Sequence, residues 1–174
     1  CAMGGPPAKA MGMGGREVRT HEKFGNIFDH FAIDYEYPDG TAMLSMCRQT
    51  DNCAARVSEH IRGTTGTATA RHGFSSIVNG AGDEWTSRGT DNPYVREHVN
   101  LIASIRGDAH RLNEARRTAE STLTAIMGRM SAYTGKEVTW EQAINSQLDL
   151  SPPEYAFTSL EVRPVPVPGR TPLV

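Results

Sequence analysis

Two groups of side chains have the types and spacing that chemistry needs. Tyr94, Glu97 and His98 recur within a single helical turn. A phenol, a carboxylate and an imidazole so placed can wall a pocket and hydrogen-bond a polyol. The competing reading puts Tyr94 and His98 in a core, satisfying each other or a backbone carbonyl. The second group depends on a turn. Closing Pro38-Asp39-Gly40 as a three-residue loop pairs Tyr37 with Thr41 and, counting back, sets His30 opposite Arg48 and Asp34 opposite Leu44. That face would hold an anionic or hydroxylated ligand, form a subunit contact, or simply be solvated. Glu59 and His60 are neighbours on one strand and so point to opposite faces. Arg16, Arg19, Arg111, Arg116 and Arg117 have acidic neighbours and read as surface cations.

Other chemistries are excluded by spacing. Gly12-Met13-Gly14-Gly15 would place the third glycine of G-x-G-x-x-G on Glu17, and no helical pattern follows it. Gly135-Lys136 has neither the upstream glycine nor the Ser or Thr of a phosphate loop. No H-E-x-x-H, G-x-S-x-G or C-x-x-C occurs. Cys1, Cys47 and Cys53 fit no zinc or redox pattern. They read as free, buried thiols, with a Cys47–Cys53 disulfide as the alternative. The opening at Cys1, without Met, reads as a terminus set by processing or by truncation.

The elements that must position these residues follow from periodicity. Residues 1–26 form a leading loop and a short strand at Lys9–Met13. From Phe28 to Tyr37 the pattern alternates: Phe31, Ile33, Tyr35 and Tyr37 share one face, and His30, Ala32, Asp34 and Glu36 share the other. Thr41–Gln49 returns as the second strand of a hairpin. Further strands are predicted at Ala55–Arg62 and Thr67–Arg71, with short edge strands at Phe74–Val78 and around Trp85, so that 27–91 reads as one sheet. A helix from Pro93 to Arg106 is capped by Asn92 or Asp91 and ended by Gly107. A longer one, capped by Asn113, runs through Thr134 to Gly135. A strand at Glu137–Thr139 and a brief helix from Trp140 complete a helical layer over 92–147. The tail 148–174 carries most of the ten prolines and reads as an extended strap. Strands followed by helices predict an α+β fold: a mainly antiparallel open sheet with helices packed on one face.

Composition agrees. The chain has 174 residues, 38% hydrophobic and 22% charged, with 18 Lys plus Arg against 20 Asp plus Glu. It can build a core, and its balance argues against nucleic acid as a partner. No apolar run approaches the roughly 18 residues that cross a bilayer.

Four stretches together resemble a known family: Ala10-Met11-Gly12-Met13-Gly14-Gly15-Arg16-Glu17-Val18-Arg19-Thr20, Phe24–Gly40, Asn92-Pro93-Tyr94 with Glu97-His98 through Arg106, and Leu112–Ser146. They are similar to the C-terminal domain of Gfo/Idh/MocA oxidoreductases, the family of glucose–fructose oxidoreductase and inositol dehydrogenase. The ending Val165-Pro166-Val167-Pro168-Gly169-Arg170-Thr171 resembles the bacterial branch found in planctomycetes and Bacteroidetes. The resemblance implies a parent whose N-terminal Rossmann domain, absent from this sequence, holds NAD or NADP, while this single domain over 1–174 closes on a sugar, polyol or related carbonyl. It further implies a bacterial protein, cytoplasmic or exported, that assembles as a homo-oligomer through its sheet face. The family's catalytic lysine and its acid–histidine motif belong upstream, so no catalytic residue is carried over. The substrate-binding candidates are Tyr94, Glu97 and His98 by motif, and Arg48 and His30 by hairpin geometry. The expectation is thus the substrate-binding and oligomerisation domain of an NAD(P)-dependent oxidoreductase, itself inactive and binding neither cofactor nor metal. The alternatives are a stand-alone, non-catalytic assembly module and the corresponding domain of an NAD-dependent glycosidase.

Overall fold

The computed structural model describes residues 3–89 and 92–174. Cys1 and the alternative cap Asp91 lie outside them. The chain is α+β, with two antiparallel sheets and three α-helices among the described residues. It divides into two compact units, one from the described residues of 1–51 and 114–174, the other from 52–113.

In the first unit β1 (Lys9–Gly15), β2 (His30–Glu36), β3 (Ala42–Arg48) and β8 (Val138–Thr139) form a sheet of order β3-β2-β1-β8. The hairpin has the register read from its turn. Tyr37 N–H donates to the Thr41 carbonyl at 2.8 Å, and Gly40 takes φ 81°. His30 then faces Arg48, and Asp34 faces Leu44. One face of β2 lies under α2 (Ala115–Thr134), burying Ile33, Tyr35 and Tyr37 with Met127 and Met130 of the helix. The helix comes very close to the strands because both sides supply glycine. A methyl on Gly12 would stand 2.7 Å from Ile33 Cδ1 and 2.8 Å from the Ala132 nitrogen, and one on Gly128 would collide with the Tyr35 hydroxyl. In that contact Gly12 N–H donates to buried Ser131 Oγ at 2.7 Å, and Tyr35 donates to the Thr124 carbonyl at 3.1 Å. Burial pushes the Tyr35 phenol up to about 12.

α2 begins at Ala115 with Glu114 in the cap position and no side-chain cap bond, one residue later than Asn113 predicts. It ends at Gly135 in the left-handed region. α3 (Trp140–Ile144) has a capping box between Thr139 and Gln142. The proline-rich tail then crosses the end of α2, where Gly169 N–H donates to the Thr134 carbonyl at 2.8 Å and Leu173 packs on the core.

In the second unit β4 (Ser58–Arg62), β5 (Gly66–Arg71), β6 (Phe74–Asn79) and β7 (Glu84–Ser87) form a meander in sequence order. The strands over 27–91 therefore divide between two sheets instead of sharing one. The break falls where residues 49–57 leave the ladder, with Asn52 at φ 60°. α1 (Pro93–Arg106) belongs to this unit and α2 to the first. It is bounded as predicted: Asn92 Oδ1 accepts from Tyr94 N–H at 3.0 Å, and Gly107 takes the left-handed conformation. None of its residues is buried within this unit, Tyr94 and His98 included. The cysteine expectation is corrected as well: Cys47 and Cys53 are free but exposed. Cys47 sits on the edge strand β3, beyond the cover of α2.

Candidate functional site

The best-organised polar group lies at one end of the first sheet, on the face turned away from α2. Residues 16–29 connect β1 to β2, and the loop is tied from two sides. Asp29, 2% exposed, accepts three successive amide hydrogens on one oxygen, from Glu17 at 2.8 Å, Val18 at 2.7 Å and Arg19 at 2.9 Å. Three consecutive N–H groups aimed at one point form a nest for negative charge. Arg16 closes the loop from the other side. Its guanidinium donates to the carbonyls of Arg19 at 2.6 Å, Gly25 at 2.7 Å and His21 at 3.0 Å. Arg16 is therefore a loop organiser and not a free surface cation. Arg19 rests 5.0 Å from the Phe24 ring centre and reaches Gln49 Oε1 at 3.4 Å.

The second Asp29 oxygen holds His30 Nδ1 at 2.8 Å. Burial pushes the Asp29 carboxyl up. The Arg19 amide, His30, and the Val18 and Glu17 amides outweigh it and hold the group well below the usual carboxylate range. An ionised acceptor requires hydrogen on Nδ1, which fixes the tautomer of neutral His30 and leaves Nε2 as its free acceptor. The ring lies over Gly15, where a methyl would stand 3.0 Å from Cε1. Arg48 is its cross-strand partner. The arrangement presents an oriented imidazole on a strand position whose cross-strand neighbour is an arginine, suited to a hydroxyl or an anionic oxygen.

Of the residues chosen from sequence, His30 and Arg48 are thus paired in one row. Asp34, four residues along the same face, is exposed between Met11 and Leu44. Tyr94, Glu97 and His98 share one turn of α1 in the second unit. His98 Nδ1 lies 2.6 Å from the Tyr94 carbonyl and 3.7 Å from Glu97 Oε1, and all three side chains are exposed. Glu59 and His60 point to opposite faces, His60 toward Ser58 and Thr69 at 3.2 Å each. Sequence reasoning missed Asp29. The available signal was an acidic residue directly before an alternating strand that follows a loop rich in polar and charged residues. Among the described residues no three His, Cys, Asp or Glu side chains are arranged for a metal, and no helix is long and apolar enough to cross a membrane.

No family model matches the chain, and no curated protein matches it in sequence. Solved structures do match. A protein of Thermotoga maritima assigned as an oxidoreductase superposes with a TM-score of 0.61 at 15% identity, over 78% of this chain and 41% of its own. The WlbA dehydrogenase of Bordetella pertussis, in complex with NADH and UDP-GlcNAcA, gives 0.56 at 16%, over 78% and 39%. An oxidoreductase of Agrobacterium radiobacter, in complex with NAD+, L-tartaric acid and magnesium, gives 0.56 at 12%, over 77% and 43%. At such identities the likeness is one of fold, and the chain spans about two fifths of the length of each structure. The chain shares its α+β fold with part of each of these oxidoreductase and dehydrogenase structures.

Proposed function

We propose that this chain is the substrate-binding and assembly domain of an NAD(P)-dependent oxidoreductase of the Gfo/Idh/MocA type, acting on a sugar, polyol or related carbonyl. The shared fold carries this reading. One structural neighbour is in complex with NADH and a UDP-sugar, which supports a saccharide substrate and NAD as the parent's cofactor. The cofactor itself does not fit the residues present. Every strand pairing among the described residues is antiparallel, and Gly12–Gly15 run inside β1 instead of feeding a helix N-terminus. A dinucleotide needs the crevice of a parallel βαβ unit. Hydride chemistry therefore belongs to another domain of the parent. The groups proposed to grip substrate are, in the first unit, His30, oriented by Asp29, with Arg48 as its cross-strand neighbour, and, as a separate set in the second unit, Tyr94, Glu97 and His98 on α1. In the complete enzyme His30→Gln lowers kcat/KM about 10–100-fold, the value of one hydrogen bond to a charged group, and leaves NAD affinity unchanged. Tyr94→Phe and His98→Ala put α1 to the same trial. Unchanged kcat/KM in all three variants would remove these residues from the site.

A second reading, assembly without catalysis, is favoured by one observation. The open face of the first sheet exposes Met11, Met13, Leu44 and Met46 in adjacent rows. Sedimentation of Leu44→Glu and Met46→Glu beside the unaltered chain tests it.

A further inference from the structure

The second unit has two unlike faces. One carries Ile61, Ala68, Ile77 and Trp85 across four strands and forms a shallow groove of about 170 Å³. On the other, three cross-strand rows run Ser58–Arg71–Phe74, His60–Thr69–Ser76–Thr86 and Arg62–Thr67–Val78–Glu84. Hydroxyls and cations dominate this second face, and its one carboxylate, Glu84, lies three strands from Arg62. Two guanidiniums gather on a single ring: Arg71 Cζ is 4.9 Å and Arg88 Cζ 5.4 Å from the Phe74 centre. Both arginines are exposed, and no carboxylate forms an ion pair with Arg62, Arg71 or Arg88 among the described residues.

Like charges held together repel unless an anion joins them. Guanidinium groups take carboxylate or sulfate through paired, charge-assisted hydrogen bonds. Beside that pair lie Ser58 Oγ and His60, the imidazole already bonded to Ser58 and Thr69 at 3.2 Å, together with a field of Thr and Ser hydroxyls. Arg62 supplies another positive charge four residues further along β4, roughly 13 Å away at the rise of a strand. We propose that this face binds an acidic saccharide chain, the Arg71–Phe74–Arg88 cluster taking one carboxylate or sulfate, the hydroxyl row the sugar hydroxyls, and Arg62 a second acidic group. A flat, open face suits a chain better than a small enclosed ligand. Single-stranded nucleic acid needs exposed rings on which bases stack. Here the face offers one, half-buried and already engaged by two cations. The site lies outside the Asp29–His30 group and does not depend on the parent's cofactor.

Affinity electrophoresis of the 174-residue chain through gels carrying polygalacturonate, chondroitin sulfate or neutral dextran tests the proposal. One of the two acidic polymers retards the chain and dextran does not. Arg71→Gln with Arg88→Gln weakens that retardation about tenfold or more, the scale of lost charge-assisted bonds, with an unchanged melting temperature. Arg106→Gln with Arg111→Gln, an equal loss of charge elsewhere on the unit, leaves it as it was. The proposal is overturned if neither acidic polymer retards the chain at low salt, or if the Arg106 and Arg111 changes weaken binding as much as the Arg71 and Arg88 changes do. Binding of a single-stranded oligonucleotide as tightly as the better polymer also overturns it, since charge alone would then explain the affinity.

Discussion

Asp29 shows how one side chain can organise a region that no sequence pattern announces. His30 could be read from alternation along β2, and its pairing with Arg48 from the length of the turn. Asp29 could not, because its partners are backbone amides 10 to 12 residues upstream, and any residue type supplies an amide. Its ionisation has a consequence for stability. In the unfolded chain an Asp titrates near 3.9, while in the fold its value is held well below that. As pH falls the unfolded state takes up the proton first. The stability attached to Asp29 is thus complete above about pH 5 and drains away on acidification toward the folded value, with a slope of at most about 1.4 kcal/mol per pH unit. Urea midpoints between pH 6 and pH 2.5 should therefore fall more steeply for the unaltered chain than for Asp29→Asn, which is weaker at neutral pH. Parallel curves for the two proteins would remove the carboxylate from this role.

The hairpin and α2 are held together by shape. Ile33 is 5% exposed beneath the helix, whereas its neighbour Asp34 points away from it. An unpaired carboxylate at Ile33 would cost several kcal/mol, and Asp34→Asn at an exposed site stays within about 0.5 kcal/mol. Ile33→Asp should accordingly unfold the first unit and Asp34→Asn leave it intact; equal urea midpoints would contradict the register. Gly128 makes the finer test. Alanine normally favours a helix over glycine by about 1 kcal/mol. Here the added methyl meets the Tyr35 hydroxyl, and overpacking of this kind costs about 1–3 kcal/mol. Gly128→Ala should be destabilising on its own and less so when combined with Tyr35→Phe, a non-additivity that denaturant melts of the four proteins will measure. These strands and helices were readable because alternation and helical spacing report which face of an element is apolar. The same spacing reports nothing about what covers that face. The stripe of α1 was therefore visible, and its position in the second unit was not.

The division into two sheets was equally hidden, since strand pairing depends on the path of residues 49–57 and not on the strands' own pattern. It leaves the first sheet with one face under α2 and the other open. That open face joins the Met11, Met13, Leu44 and Met46 side chains with His30, Asp34 and Arg48 at polar positions around them. Exposed apolar rows rimmed by polar groups mark contact surfaces. The chain should sediment as a dimer or larger at tens of micromolar, and Leu44→Glu should return it to a monomer of unchanged melting temperature.

The absence of any parallel strand pair among the described residues has a sharper consequence. Dinucleotide affinity depends on a pyrophosphate seated at a helix N-terminus, fed by a glycine turn from a parallel strand. α1 begins with Pro93, which has no N–H to offer, and Asn92 already occupies the Tyr94 amide; α2 begins with a Glu114 carboxylate in the cap position. In α3 the Gln142 amide donates to Thr139 Oγ1 and the Trp140 amide to the Ala8 carbonyl. The starts of α1 and α3 thus have amides already engaged, and the uncapped start of α2 carries a carboxylate beside it. Calorimetric titration of the 174-residue chain with NAD and with NADP should show no heat of stoichiometric binding. Fusing or mixing the chain with the dinucleotide domain of the proposed parent should bring cofactor binding with that domain. A micromolar dissociation constant for the isolated chain would mean that the dinucleotide is held by a geometry other than the βαβ crevice, and would undo the division of labour proposed for the parent enzyme.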